Sequence, residues 1–197
     1  MNEIIVKENE ELVVPILWTG EETELSYTIT LAEKGASVKL LGLLIGHESQ
    51  SLKLKVTVFH KAENTISDVI IKSALCDTSQ IFFDGLIKIE KGAKGTNAWL
   101  AAHILLLSQK SKGIAVPNLE ILENDIKAGH AATVGRINDL ELFYLMSRGL
   151  PEEKAKQLIV DGFLQSIITQ LPADLQKKAN MSFRAEQSEV EEYYPTM

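Results

Sequence analysis

Cysteine is nearly absent from this sequence: Cys76 is the single thiol among 197 residues. One thiol cannot form an internal disulfide, and it cannot supply a site built from several thiolates within one chain. This usage is typical of a reducing compartment, so we expect a cytoplasmic protein. No apolar run approaches the roughly 20 residues that span a bilayer. Residues 1–11 carry four acids and no cationic segment of the kind that begins a signal peptide.

Positive charge is also scarce. The chain has 20 Lys and Arg against 27 Asp and Glu, a net charge of -7, and three of the cations are arginine. An acidic protein is repelled by phosphate backbones and anionic lipid. Few arginines also means few planar guanidinium groups for bidentate phosphate binding. We therefore expect neither nucleic acid nor a membrane among its partners.

The common signatures of catalysis are missing as well. Residues 92–96 (Gly-Ala-Lys-Gly-Thr) lack the spacing of a Walker A loop, and no HExxH, CxxC or GxSxG motif occurs. The sequence therefore contains no motif that would indicate nucleotide hydrolysis, zinc proteolysis, thioredoxin-like chemistry or serine hydrolysis. The sequence predicts a protein that is not an enzyme.

Short β-rich runs follow one another from about residue 12 to residue 137. In residues 52–58, Leu and Val alternate with Lys and Thr, which is typical of a half-exposed strand. Apolar strand ends meet charged turns at steps of 28, 30 and 33 residues, at Leu31, Phe59, Ile89 and Leu122. Repeats of this length are typical of solenoids. The pattern predicts a mainly β chain with a β-solenoid over residues 1–137, and leaves an antiparallel sandwich open.

Helical periodicity begins at Asn138. Asn138 and Glu141 have capping-box spacing, and Gly149 is placed to end the helix. Its apolar residues occupy nearly the whole circumference, so we expect contacts on more than one side. A second helix is predicted from Pro151 to Pro172 and a third over residues 173–181. The second should bury one apolar face, formed by Ala155, Leu158, Ile159, Gly162, Phe163, Ile167, Ile168 and Leu171.

The helical subdomain is assigned to residues 138–185. The last twelve residues, 186–197, carry four Glu and no cation. We expect this acidic tail to be frayed or disordered.

Two residues are the candidate metal ligands, His130 and Cys76. His130 lies in residues 129–135 (Gly-His-Ala-Ala-Thr-Val-Gly), where small neighbours leave room for a ligand or a second chain beside the imidazole. The alternative is a turn histidine bonded to backbone. Cys76 is either a small buried thiol at a strand end or a ligand for soft iron.

Three acids offer a different hypothesis, a β-solenoid enzyme acting on carbohydrate. Such an enzyme would need Asp68, Asp77 and Asp84 to converge as general acid and base. Their separations of 9 and 7 residues do not match the repeat, so we expect solvated or turn-capping side chains.

Seven ordered segments lie between residues 85 and 149: 85–89 (Gly-Leu-Ile-Lys-Ile), 92–98 (Gly-Ala-Lys-Gly-Thr-Asn-Ala), 105–108 (Leu-Leu-Leu-Ser), 117–121 (Pro-Asn-Leu-Glu-Ile), 125–127 (Asp-Ile-Lys), 130–135 (His-Ala-Ala-Thr-Val-Gly) and 142–149 (Leu-Phe-Tyr-Leu-Met-Ser-Arg-Gly). Together they resemble the SufB/SufD family, the scaffold subunits of the SUF iron-sulfur cluster assembly system, and are closer to its SufD branch.

This resemblance implies a right-handed parallel β-helix followed by helices, with two β-helices meeting as a homodimer or as a heterodimer with a SufB-like subunit. It places His130 at the subunit interface, where a nascent cluster assembles. It also implies that the C-terminal helices dock an ABC-type ATPase, SufC. The residues expected to form that docking surface are Leu142, Phe143, Tyr144, Met146 and Arg148.

The sequence also departs from the family pattern. Ala102 stands where SufB has its essential cysteine, and Ala131 replaces the residue that follows the family histidine. The chain is about half the length of typical members, so we expect a short form without their N-terminal helical region. Any iron-sulfur cluster should therefore be transient and shared with a partner, with none bound by this chain by itself. A structural interaction protein without cluster chemistry is the alternative.

Overall fold

Ten strands alternate between two parallel sheets in the computed structural model, which describes residues 2–180. The odd-strand sheet contains β1 (Asn2–Val6), β3 (Glu24–Leu31), β5 (Ser51–His60), β7 (Gln80–Ile89) and β9 (Lys112–Ile121). The even-strand sheet contains β2 (Glu11–Trp18), β4 (Ser37–Gly46), β6 (Ile66–Leu75), β8 (Thr96–Leu106) and β10 (Ile126–Arg136). We call one even strand and one odd strand, together with their turns, a rung.

Each sheet grows by one parallel strand per rung, which is the defining topology of a β-solenoid. Leu31 pairs with His60, His60 with Ile89 and Ile89 with Ile121. The solenoid prediction is confirmed, and the antiparallel sandwich is wrong because every strand pair is parallel.

Two of the predicted repeat markers are wrong by one residue. Phe59 and Leu122 each lie beside the position that repeats, which is occupied by His60 and Ile121. A shift of one residue moves a strand side chain to the other face of its sheet. Accordingly His60 is buried, whereas Leu122 is 57% exposed.

The buried histidine is held in a small polar cluster inside the solenoid. His60 Nδ1 lies 2.8 Å from Thr65 Oγ1, and His60 Nε2 lies 2.9 Å from Ser67 Oγ. Thr65 Oγ1 is in turn 3.1 Å from Thr96 Oγ1 of the next rung. Burial lowers the pKa of His60 to about 4, so the imidazole is neutral at physiological pH. Its hydrogen bonds satisfy polar atoms that would otherwise be buried at a cost.

One corner of the solenoid is built from stacked residues with left-handed backbone. Asn9, Gly35, Asn64 and Gly95 have φ angles of 53°, 73°, 57° and 70°. Their N–H groups donate to carbonyls of the following rung: Asn9 to Lys34, Gly35 to Glu63, Asn64 to Lys94 and Gly95 to Asp125. Asn and Gly tolerate this conformation better than other residues. The turns therefore continue the backbone ladder between the two sheets.

The first helix, α1 (Asp139–Ser147), begins and ends where the sequence predicts. Asn138 Oδ1 accepts the Leu140 N–H at 2.8 Å, which makes Asn138 the N-cap. Gly149 has a φ of 93°, and the Leu150 N–H reaches the Leu145 carbonyl at 3.3 Å. These are the features of a glycine-terminated Schellman motif.

The second helix, α2 (Glu152–Ile168), buries part of the predicted face, since Ala155, Ile167 and Ile168 are buried as expected. Val160 and Leu164 are buried, whereas Leu158 is 52% exposed. The helix has apolar residues on two sides, and the predicted face combined residues from both, although only one side is buried. Its buried side packs on the outer face of the even-strand sheet, in a cluster with Leu41, Leu43, Ile45, Ala74 and Leu105.

The described chain ends in a third helical segment, residues 173–180, as predicted, and its Ala179 joins the same cluster as α2. The predicted acidic tail, 186–197, lies outside the described residues. Within residues 2–180, no helix combines the length and apolarity needed to span a membrane.

Candidate functional site

The C-terminal end of the solenoid exposes surface that every earlier rung covers. Five positions of β10 continue the buried inner face of β8, and they pair with Thr96, Ala98, Leu100, Ala102 and Ile104. In β10 these positions are partly or fully exposed, because none of residues 2–180 forms a further rung beyond them. They are Ile126, Ala128, His130, Ala132 and Val134. We call this surface the open end.

His130 is the titratable side chain among those five inner positions, and it is exposed. It pairs with Leu100 of β8, while Ala132 pairs with Ala102. Ala102, the position at which the resemblance would place a cysteine, is therefore buried one strand below and two residues along from His130. The open end thus offers one imidazole on an apolar surface.

Cys76 does not join His130. It is half-buried in the turn after β6, where its N–H donates to the Gly46 carbonyl at 2.9 Å. His130 pairs with Leu100, and Leu100 pairs with Val69 on β6. His130 and Cys76 are therefore separated by two strand spacings and by the seven residues from Val69 to Cys76. That path corresponds to roughly 25 Å. Among residues 2–180, no cluster of three or more His, Cys, Asp or Glu is arranged to hold a metal ion.

The three candidate acids are scattered. Asp68 lies on β6 of the even-strand sheet and Asp84 on β7 of the odd-strand sheet. Asp77 is in the turn between them, where its carboxylate accepts the Glu48 N–H at 2.9 Å. A glycosidase needs two carboxyl groups flanking one bond. The three carboxylates therefore do not converge, as the hypothesis of a carbohydrate-active enzyme requires.

A carboxylate that sequence reasoning missed fixes the turn into β10. Glu123 is 4% exposed and accepts the N–H groups of Gly92 at 3.0 Å and Asn124 at 2.9 Å. These backbone donors, with the Lys91 ammonium 3.6 Å away, lower the pKa of Glu123 to about 2. The carboxylate stays charged and ties the last turn to the rung before it.

Sequence reasoning also missed a close contact on the outer face of β10. Gly129 pairs with Trp99 of β8, and a side chain at Gly129 would overlap the Trp99 ring. The indole lies against the Gly129 backbone and is 47% exposed. A glycine within a strand is a recognised sign of such close approach. Gly129 therefore lets Trp99 cover the strand that carries His130.

The second exposed surface is on the helices. Leu140, Phe143 and Tyr144 are 77%, 69% and 56% exposed, and α1 has no buried residue. Between α1 and α2 lies an apolar groove of about 460 Å³, lined by Leu140, Glu141, Tyr144, Leu145, Leu158 and Ile159. An exposed apolar patch of this kind is typical of an interaction site.

The residues predicted to dock a partner fall on or near this surface. Met146 is 41% exposed and Leu142 is half-buried. Arg148 Nη2 donates to Tyr144 Oη at 3.1 Å, and its guanidinium lies 5.3 Å from the centre of the Tyr144 ring. We call the exposed part of α1, with Leu158 and Arg148, the helix surface. α1 contacts α2 on one side and is exposed on the other.

These features define a class: a parallel β-solenoid with an open C-terminal end and a helical subdomain that exposes an apolar surface. The family described as "SUF system FeS cluster assembly, SufBD core domain" matches residues 6–163. The chain belongs to the SufB/SufD family, whose members take part in iron-sulfur cluster assembly.

Similar proteins include an iron-sulfur cluster assembly protein SufD from Bacillus subtilis, 36% identical over 140 residues, covering 71% of this chain and 32% of that protein. An iron-sulfur cluster assembly SufBD family protein of Mycobacterium bovis is 30% identical over 162 residues, covering 82% of this chain and 19% of the relative. The chain therefore spans a third or less of the length of these two relatives.

A paired substitution tests the contact between Trp99 and β10. Gly129→Ala should displace the indole and destabilise the chain by about 1–3 kcal/mol, the usual cost of overpacking. Gly135→Ala is the matched control, because a side chain at Gly135 on the same strand would meet no atom within 4 Å. Chemical denaturation measures the free energy of unfolding, and acrylamide quenching follows Trp99 against buried Trp18. Equal effects of the two substitutions would show that Trp99 does not lie against Gly129.

Proposed function

We propose that this chain is a noncatalytic scaffold or accessory subunit of SUF-type iron-sulfur cluster assembly in the cytoplasm. It pairs with a second β-solenoid subunit through its open end and docks a SufC-like ABC-type ATPase through its helix surface. The observation that carries the proposal is the open end itself, where the inner face of the last rung and His130 are exposed.

Among the four strands at the two ends of the sheets, β10 is the one best suited to pairing. β2 contains Pro15 and β9 contains Pro117, and proline lacks the N–H that an added strand would use. β1 is five residues long, whereas β10 has eleven residues and no proline. An edge strand of that length presents a row of backbone donors and acceptors that a second strand can satisfy. Pairing there covers the open end.

The partner is either a second copy of this chain or a cysteine-bearing SufB-like subunit. Iron-sulfur clusters are held mainly by thiolates, and Ala102 supplies none. His130 therefore contributes one ligand at the interface, and the partner contributes the thiolates. In this arrangement the cluster is cargo, assembled between two subunits and passed on.

The helix surface is the proposed site for the ATPase. Phe143 and Tyr144 are large, exposed aromatic side chains next to Arg148, and these three residue types are enriched at protein interfaces. Because α2 packs on the even-strand sheet that ends in β10, a movement of the docked ATPase can act on the strand that carries His130.

Docking can be tested by mutating the exposed aromatics. Phe143→Ala and Tyr144→Ala should each weaken binding of a SufC-like ATPase roughly 30-fold, the factor for a 2 kcal/mol hot spot. Ile66→Ala is the control, since Ile66 is also an exposed apolar residue, at 46%, on a strand remote from α1. Calorimetry with purified proteins gives the dissociation constants. Failure of the native chain to bind the ATPase would count against the proposal, as would unchanged binding by both variants.

A structural subunit without cluster chemistry is the second candidate. It is favoured by one observation: the open end presents a single imidazole, and Ala102 below it is apolar and buried. Such a subunit would keep the pairing and the ATPase docking but would not touch iron.

Anaerobic reconstitution with iron and sulfide separates the two candidates. With its partners present, native chain should support several-fold more cluster than His130→Ala, because the interface loses one ligand; without partners both should hold none. Absorption and iron and sulfide analysis give the yield. Lys127→Ala is the control, because Lys127 is exposed on the outer face of the same strand. Equal yields from native chain and His130→Ala would favour the structural subunit.

A further inference from the structure

A row of three polar side chains crosses the outer face of the even-strand sheet, from α2 to β10. Lys72 of β6 pairs with His103 of β8, and His103 pairs with Thr133 of β10. Neighbouring strands lie about 4.8 Å apart, so the row spans about 10 Å. Thr133 is three residues from His130, and an odd separation places the two side chains on opposite faces of β10.

At one end of the row, Lys72 is held by α2. Its ammonium donates to the Phe163 carbonyl at 3.0 Å and to Ser166 Oγ, and it lies 4.5 Å from the centre of the Phe163 ring. Burial under the helix lowers the pKa of Lys72. The backbone carbonyl, the hydroxyl and the ring together replace part of the water that the ammonium loses.

At the other end, His103 is bonded to β10. His103 Nδ1 lies 2.8 Å from Thr133 Oγ1. Burial, and then the positive charge of Lys72, lower the pKa of His103, which favours the neutral imidazole. A neutral imidazole has one ring nitrogen that can accept a hydrogen bond.

We propose that Lys72 and His103 are positioning residues that couple the seating of α2 to the order of β10, and so to the placement of His130. When α2 is seated, Lys72 donates to the helix, and His103 bonds to Thr133. When α2 shifts, Lys72 loses these partners, and the nearest strand neighbour with an acceptor is His103. In the tautomer with the proton on Nε2, Nδ1 accepts from the Thr133 hydroxyl and is the one acceptor of the ring. Lys72 then competes with Thr133 for Nδ1, and β10 loses its outer-face bond. The functional meaning rests on the proposed docking of the ATPase to the helices.

The test uses the chain by itself and measures hydrogen exchange of the β10 amides. Ser166→Ala removes one acceptor of Lys72 on the exposed side of α2 and should speed exchange in β10 several-fold, within the roughly tenfold scale of one lost hydrogen bond. Lys72→Met removes the competing donor, so in a Lys72→Met background Ser166→Ala should leave β10 exchange unchanged. Lys72→Arg keeps the charge and the donors, so Ser166→Ala should still speed β10 exchange in that background. Lys156→Met is the control, because Lys156 pairs with Glu152 and Glu153 at the surface of the same helix.

A double-mutant cycle decides whether the row acts as one unit. In a Thr133→Val background, Ser166→Ala should have little further effect on β10 exchange, because the bond that it weakens is already gone. Effects of Ser166→Ala that are equal in the native and Thr133→Val backgrounds would overturn the inference, as would an undiminished effect of Ser166→Ala in the Lys72→Met background. Neither measurement requires the ATPase. If the chain fails to dock the ATPase, the proposed function is wrong, but the coupling can still hold. If the chain docks the ATPase and the effects of Ser166→Ala and Thr133→Val are additive, only the coupling is wrong.

Discussion

The structure depends on one constraint, which is that each strand of a parallel solenoid takes its backbone hydrogen bonds from the rungs before and after it. Within the stack this is satisfied strand by strand and, at the corner formed by Asn9, Gly35, Asn64 and Gly95, even in the turns. At the last rung no further strand of residues 2–180 pairs with β10, so its outer backbone groups have no strand partner there. The same absence of a next rung exposes the inner face of the sheet. His130 is therefore accessible for the same physical reason that β10 can pair.

The helical subdomain is placed by this sheet. α2 buries its apolar side on the outer face of the even strands, while α1 is held through α2 and leaves Phe143 and Tyr144 uncovered. The two exposed surfaces of the molecule therefore share one sheet as their support. Lys72, His103 and Thr133 lie on the outer face of that sheet between them. The proposed docking of an ATPase on the helices requires a physical connection to β10, and these three side chains, with their identified partners, form the proposed one.

Much of the fold could be predicted from local patterns, because period-two alternation, helix caps and positive-φ glycine depend on neighbours in sequence. The start of α1 at Asn138 and its end at Gly149 are examples. β10 has only a weak strand signal in the sequence, since its Ala and Gly residues have low β propensity and its order comes from pairing with β8. The contacts of Gly129 with Trp99 and of Lys72 with α2 join residues 30 and 91 positions apart. Such contacts can be predicted only when the strand register is known, and the predicted repeat markers Phe59 and Leu122 each lie one residue from the position that repeats. The role of His130 could be proposed from family resemblance, whereas its exposure required the structure.

The central claim is that the open end is the surface at which this chain meets a second subunit. Hydrogen exchange measured by mass spectrometry, on the chain by itself and on the chain assembled with its partner subunit, tests it most directly. The account predicts that assembly slows exchange across residues 126–136 and leaves the first strands, 2–18, unchanged. If assembly instead slows exchange in residues 2–18 and leaves exchange in residues 126–136 unchanged, the claim is contradicted, because the second subunit would then lie at the opposite end of the solenoid.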